Sequence, residues 1–256
     1  MRVADAGAGA AQPCTCTRAQ LVPSRIQGAG IPPRYADCTL ENFEVDVDAS
    51  SSIELNKARA RCREYVETFA ALDGASTSER GLLFMGPPGV GKTHLAVATL
   101  KALIRRYGVR GRFLDFSSFL AEIQATFDPS SSESKQRLLD PVIAAEVLVF
   151  DELGVSQPTP FVRDVLYLII NGRYSTRRPT LFTTNFQLKA DDRPARADDL
   201  DKPQPFDLSA RAVSHHDLLH DRLTPMLLSR VLEMARPIPI TARDFRKVKV
   251  RASQRR

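Results

Sequence analysis

Gly86-Pro-Pro-Gly-Val-Gly-Lys-Thr93 is the most informative stretch of the chain. It fits G-x-x-x-x-G-K-[ST], the loop that wraps a phosphate chain in backbone N–H groups. Gly86, Gly89 and Gly91 let the chain turn tightly and aim those groups inward. Pro87, Pro88 and Val90 complete the loop. Lys92 reaches toward β- and γ-phosphate oxygens, and the Thr93 hydroxyl can ligate Mg²⁺. His94, also expected to be cofactor-binding, lies in the first turn of a helix whose positive end faces the same anion. The same string also occurs by chance in ordinary Gly-rich strand-to-helix turns. Here the apolar run Gly81-Leu-Leu-Phe-Met-Gly86 precedes it, and a helical pattern from Lys92 to Tyr107 follows it.

Working outward, strands and helices alternate. Arg112-Phe-Leu-Asp-Phe116 is a strand leading to a helix over 119–127. Glu146-Val-Leu-Val-Phe-Asp151 is a continuous apolar strand, as expected for one covered on both faces. A helix over 161–174 and the strand Thr180-Leu-Phe-Thr-Thr184 follow. This alternation predicts an α/β fold, a parallel sheet sandwiched by helices with right-handed crossovers. Ahead of it, a helix is predicted over 53–72, with Cys62 as a small core residue. Behind it, a helix over 216–235 and a strand over 237–240 close the unit.

Asp151 and Glu152 end their strand 59 residues after Lys92. Ligands of open α/β sheets bind at that edge. Asp151 is expected to hold Mg²⁺, and Glu152 to polarise an attacking water. Asn185, after Thr183 and Thr184, gives the next strand a polar tip that can position the water or touch the γ-phosphate. Asn is also a frequent turn residue. ATP and Mg²⁺ are the expected cofactors.

The 256 residues carry 36 Lys+Arg against 30 Asp+Glu, a net charge of +6. Hydrophobic residues make up 43% and charged residues 26%, the balance of a globular protein, and the length allows one large domain with appendages or at most two small ones. The pI of 9.3 permits a nucleic-acid partner without establishing one. Residues 1–30 read as a mobile arm and 187–214 as a long polar insertion, with six Asp and three Pro. Residues 248–256 form a basic tail. It is either a solvated end or a phosphate-contacting one. No run approaches the roughly 18 apolar residues of a membrane span, and the N-terminus has no signal-like apolar region. A cytoplasmic protein with no membrane partner is expected. Cys14 and Cys16 are one close pair, whereas structural zinc sites usually take two, so zinc is not expected.

Several stretches in fixed order resemble the AAA+ ATPases, and among them the DnaC/IstB-type branch of helicase loaders and transposition helpers. They are Gly30-Ile-Pro-Pro-Arg-Tyr-Ala-Asp-Cys-Thr-Leu-Glu-Asn-Phe43, Gly91-Lys-Thr-His-Leu-Ala96 and Phe150-Asp-Glu-Leu-Gly154. Asn171-Gly-Arg-Tyr174, Arg178-Pro-Thr-Leu-Phe-Thr-Thr-Asn185, Leu228-Ser-Arg-Val-Leu-Glu-Met234 and Arg243-Asp-Phe-Arg246 continue it. The resemblance spans residues 31–247 and implies one AAA+ domain without a separate C-terminal lid. It makes Asn185 the sensor-1 residue and Arg230 the arginine finger that reaches a neighbour's ATP, with Arg222 a second candidate. Arg246 becomes sensor 2, on the phosphates of its own nucleotide. Relatives often carry two closely spaced cysteine pairs. Here only the second is present, so either the start lies upstream or the metal has been lost.

The resemblance further implies self-association into an ATP-dependent ring or helical oligomer that grips single-stranded DNA. Two partner readings follow: a replicative helicase for a loader, which we favour, or a transposase for an IstB-like helper. A nucleotide-controlled adaptor with little turnover is a third. An adjacent transposase gene separates the first two, and DNA-stimulated phosphate release separates both from the third.

Overall fold

The structure is a computed structural model. It describes residues 15–45, 49–73, 79–126, 132–188, 218–242 and 244–245. Five parallel strands form one sheet: β1 (Gly81–Met85), β2 (Gly111–Asp115), β3 (Val147–Asp151), β4 (Thr180–Thr184) and β5 (Ala235–Pro239). Their order is β2-β3-β4-β1-β5. The P-loop strand therefore lies between β4 and the edge strand β5, with the acidic strand β3 one place further on. Pro237 and Pro239 are tolerated in β5 because a sheet edge leaves N–H groups unpaired anyway.

Strand side chains alternate between two cores, as the pleat requires. Leu83, Leu148, Phe150 and Phe182 point into one, with helices α4 (Phe116–Ala125), α5 (Ser132–Ala144), α6 (Pro160–Ser175) and α7 (Pro225–Met234). Phe150 lies between Phe116 and Phe182, with ring centroids 4.9 and 5.7 Å away. Leu82, Phe84, Val147, Val149 and Leu181 point into the other, with α2 (Ala49–Thr68) and α3 (Lys92–Tyr107). Cys62 is fully buried there, as its helical position predicts.

Two expectations need correction, and one helix was not foreseen. The arm reading of residues 1–30 fails over its second half, where α1 (Thr15–Gly28) is helical despite an internal Pro23. Tertiary contact rather than periodicity holds it. Ile26 packs on the second core, and the Ala29 carbonyl accepts the Phe113 N–H at 2.7 Å, covering the β2 edge. The helix expected over 216–235 is shorter. Leu219–Asp221 is a 3-10 turn, and α7 begins at Pro225, where the Thr224 hydroxyl caps the Leu227 N–H. Helix α5 was not anticipated, because its polar sequence and Pro141 mask its single buried face.

The excursion after β4 leaves and returns at one point. Gln187 bridges Leu218, and its carbonyl accepts the Leu219 N–H at 2.8 Å. Residues 189–217, hence most of the expected insertion, lie outside the described residues, as do the tail and Cys14.

Candidate nucleotide site

Helix α3 starts at Lys92 because Gly91, at φ 93°, turns the chain into it from the left-handed region. It ends at Gly108, also left-handed, whose N–H caps the Ile104 carbonyl at 2.9 Å. The loop from Gly86 to Gly91 is thereby aimed at the helix N-terminus. Its walls come from both ends of the chain. A Cβ on Gly91 would stand 2.6 Å from the Phe43 ring, and one on Gly89 1.9 Å from Asp244 Oδ1. Both approaches exist only because these positions are glycine. Phe245 N–H donates to the Gly89 carbonyl at 3.1 Å, and Ile240 N–H to the Met85 carbonyl at 2.7 Å. The segment after β5 is therefore strapped to the loop. Arg246, the next residue, lies outside the described residues.

Lys92 is buried, and its ammonium donates to the carbonyls of Gly86 and Pro87, each at 2.8 Å. Val90 points into the core, while Pro87 and Pro88 are exposed. The His94 ring faces away from the loop's centre. Its Nε2 lies 2.9 Å from the Thr39 carbonyl, and its ring packs on Phe43 with centroids 5.2 Å apart.

At the strand tips, Thr93 donates its hydroxyl to Asp151 Oδ1 at 2.9 Å, across 58 residues of sequence. Thr183 donates to the same oxygen at 2.6 Å and accepts the Glu152 N–H at 3.0 Å. Thr183 thus holds Asp151 and Glu152 together, a link that sequence reasoning located only as a polar strand tip. Burial pushes the Asp151 pKa up. The Thr183 and Thr93 hydroxyls oppose that, nearby Asp115 adds to it, and Lys92 opposes it. Asp115 pairs in register with Asp151 and caps α4 by accepting the Ser118 N–H. Glu152 is exposed and sits at φ 61°, a left-handed conformation that non-glycine residues rarely adopt. Such strain at a ligand-facing turn is typical of sites whose geometry is fixed by the surrounding fold. Asn185 is half-buried just beyond the end of β4, the strand next to β3.

The two finger candidates stand on the α7 side. Arg222 stacks on Phe186, 4.8 Å from its centroid. Arg230 lies between Tyr167 and Tyr174 of α6, 5.6 and 5.4 Å from their centroids.

A P-loop at a strand-to-helix turn, an acidic β3 tip beside it and a 2-3-4-1-5 parallel sheet define a P-loop ATPase domain of the AAA+ class. Residues 40–194 match the model of the IstB-like ATP binding protein family, and the chain belongs to that family. It is similar to the replicative helicase loader DnaC of Escherichia coli K12, 30% identical over 172 residues, which cover 67% of this chain and 65% of that protein. The chain therefore spans just under two thirds of that relative's length. It also resembles a crystal structure of the DnaC helicase loader, with 29% identity, a TM-score of 0.60, and 82% of this chain and 99% of that one covered. A crystal structure of DnaI shares the fold at 22% identity and a TM-score of 0.57, covering 83% of this chain and 95% of that one. Among the described residues, no helix is long and apolar enough to cross a membrane.

Proposed function

We propose that this protein hydrolyses ATP in a Mg²⁺-dependent reaction and uses the cycle to load a replicative helicase onto single-stranded DNA. The observation that carries the first half is the hydrogen bond between Thr93 and Asp151. A hydroxyl and a carboxylate from the two nucleotide motifs converge as hard oxygen donors, the set that suits Mg²⁺. Bound there, Mg²⁺ would neutralise charge on the β- and γ-phosphate oxygens. Lys92 exchanges the Gly86 and Pro87 carbonyls for phosphate oxygens. Glu152 orients and deprotonates the attacking water, and Asn185 holds it in line. Arg246 contacts the bound phosphates from the strap that Phe245 anchors. Arg230 acts on a neighbouring subunit's nucleotide, which requires an ATP-dependent ring or helical oligomer.

The likeness to the DnaC loaders supports the helicase half. The IstB-like family match keeps a second reading open, a transposition helper that binds target DNA and recruits a transposase. Pull-down from the native host in saturating ATP distinguishes them. Recovery of the replicative helicase, lost in Lys92→Ala, is the expected result. A transposase in its place overturns the loader reading.

A further inference from the structure

Arg230 and Glu233 lie three residues apart on α7, the spacing at which opposite charges on a helix meet. They are not paired here. Glu233 Oε2 instead accepts the Tyr174 hydroxyl at 2.9 Å. The Arg230 guanidinium rests between the Tyr167 and Tyr174 rings, and its Nη1 is enclosed with no hydrogen-bond partner among the described residues. An enclosed guanidinium donor without an acceptor is costly, and the flanking π-faces offset only part of that cost. Only Nη1 is enclosed and Arg230 as a whole is half-buried, so its remaining guanidinium donors can face an anion that its own subunit does not supply. The surroundings suit a contact face. Tyr167 and Leu168 on α6 and Met226 on α7 are 39, 40 and 48% exposed.

We infer that Tyr174 is a positioning residue that acts by holding the Glu233 carboxylate away from Arg230. The Tyr174 hydroxyl ties up the Glu233 carboxylate so that Arg230 stays unneutralised within its own subunit and remains available to the phosphates of a neighbour's nucleotide. This rests on the reading of Arg230 as the finger and adds what keeps it charged and free. Glu233 also raises the Tyr174 pKa through that hydrogen bond, so the phenol keeps its proton and continues to donate. Tyr174→Phe removes the donor but keeps the ring. The released carboxylate is then free to turn to Arg230, three residues back on the same helix.

The test is steady-state phosphate release at saturating ATP and Mg²⁺, with ATP affinity measured separately, for five forms of the full chain. These are the wild type, Arg230→Ala, Tyr174→Phe, Glu233→Gln and the Tyr174→Phe/Glu233→Gln double variant. Tyr174→Phe is expected to lower kcat about tenfold with ATP affinity unchanged. Glu233→Gln should match the wild type, and the double variant should return to within about twofold of it, because the neutral amide no longer competes for the finger. A merely structural role for Tyr174 would leave the double variant as slow as the single. That result, or an unaltered kcat in Tyr174→Phe while Arg230→Ala is inactive, overturns the positioning role. Wild-type turnover in Arg230→Ala overturns the finger reading itself.

Discussion

Thr183 donates its hydroxyl to Asp151 across 2.6 Å, on adjacent strands and 32 residues apart in sequence. The Thr183 hydroxyl oxygen also accepts the Glu152 N–H, so one side chain fixes the two acids proposed to hold Mg²⁺ and to activate water. Neither strand would specify that geometry alone. Thr183→Val keeps the volume and removes both bonds. A hydrogen bond to a charged group is worth about 1.5–3 kcal/mol, and unfolding by urea should show a loss of that size. ATP affinity should fall less than phosphate release does, because Lys92 and Thr93 are untouched. Equal turnover in the variant would remove Thr183 from the site.

Asp151 sits in the fold at a cost, because burial raises its pKa above the ordinary 3.8. The sign of the linkage follows. Above that value the unfolded chain carries the carboxylate freely, while the folded protein must carry it desolvated, so stability falls as pH rises through the window between the two pKa values. Asp151→Asn should therefore raise the melting temperature of the nucleotide-free protein at pH 7. The gain should vanish below about pH 3.8 and come with loss of Mg²⁺-dependent hydrolysis. A destabilised variant at neutral pH would contradict this.

Glu152 is held at φ 61°, which costs an L-residue roughly 1–2 kcal/mol. Glu152→Gly should stabilise the protein by about 1 kcal/mol in urea unfolding and abolish turnover. Glu152→Gln should bind ATP normally and hydrolyse slowly, since the amide keeps the shape and loses the basicity. Rapid hydrolysis by either variant would exclude Glu152 from the chemistry.

These residues show how far the sequence could be read. Helix α3 was legible to the residue, because Gly91 and Gly108 flank a long periodic run. Strand β3 was legible because a strand covered on both faces is continuously apolar, and β4 because β-branched threonines flank its Leu-Phe pair. Thr93 and Asp151 are in hydrogen-bond contact, while the Lys92 ammonium lies on the Gly86 and Pro87 carbonyls. The misses share one cause. Helix α1 is held by contacts from Ile26 and Ala29 to distant residues. The enclosure of Arg230 depends on how α6 packs against α7. Local spacing even predicts the wrong partner for Glu233, an arginine on its own helix rather than a tyrosine on the next. The sequence-level role of His94 is similarly qualified, since its ring is engaged by Thr39 and Phe43.

DNA binding is expected to be salt-sensitive, since counterions leave as Lys and Arg meet phosphates. Deleting residues 247–256, which carry five of the chain's basic residues, should weaken binding to single-stranded DNA of any sequence and flatten the salt dependence. Titration of a fluorescent oligonucleotide at several salt concentrations checks this. An unaltered slope would place the contacts elsewhere on the protein.

If Arg230 acts in trans as proposed, no single subunit holds a complete active site. Arg230→Ala should bind ATP and hydrolyse it about 10³-fold more slowly or worse, the usual contribution of a finger supplied in trans. Lys92→Ala should fail to bind ATP while keeping a working Arg230. Phosphate release from a mixture of the two inactive variants is the direct measurement. Recovery of part of the wild-type rate, rising more steeply than linearly with protein concentration, is the predicted result. A mixture that co-assembles and stays silent would contradict the claim and leave Arg230 acting within its own subunit or not at all.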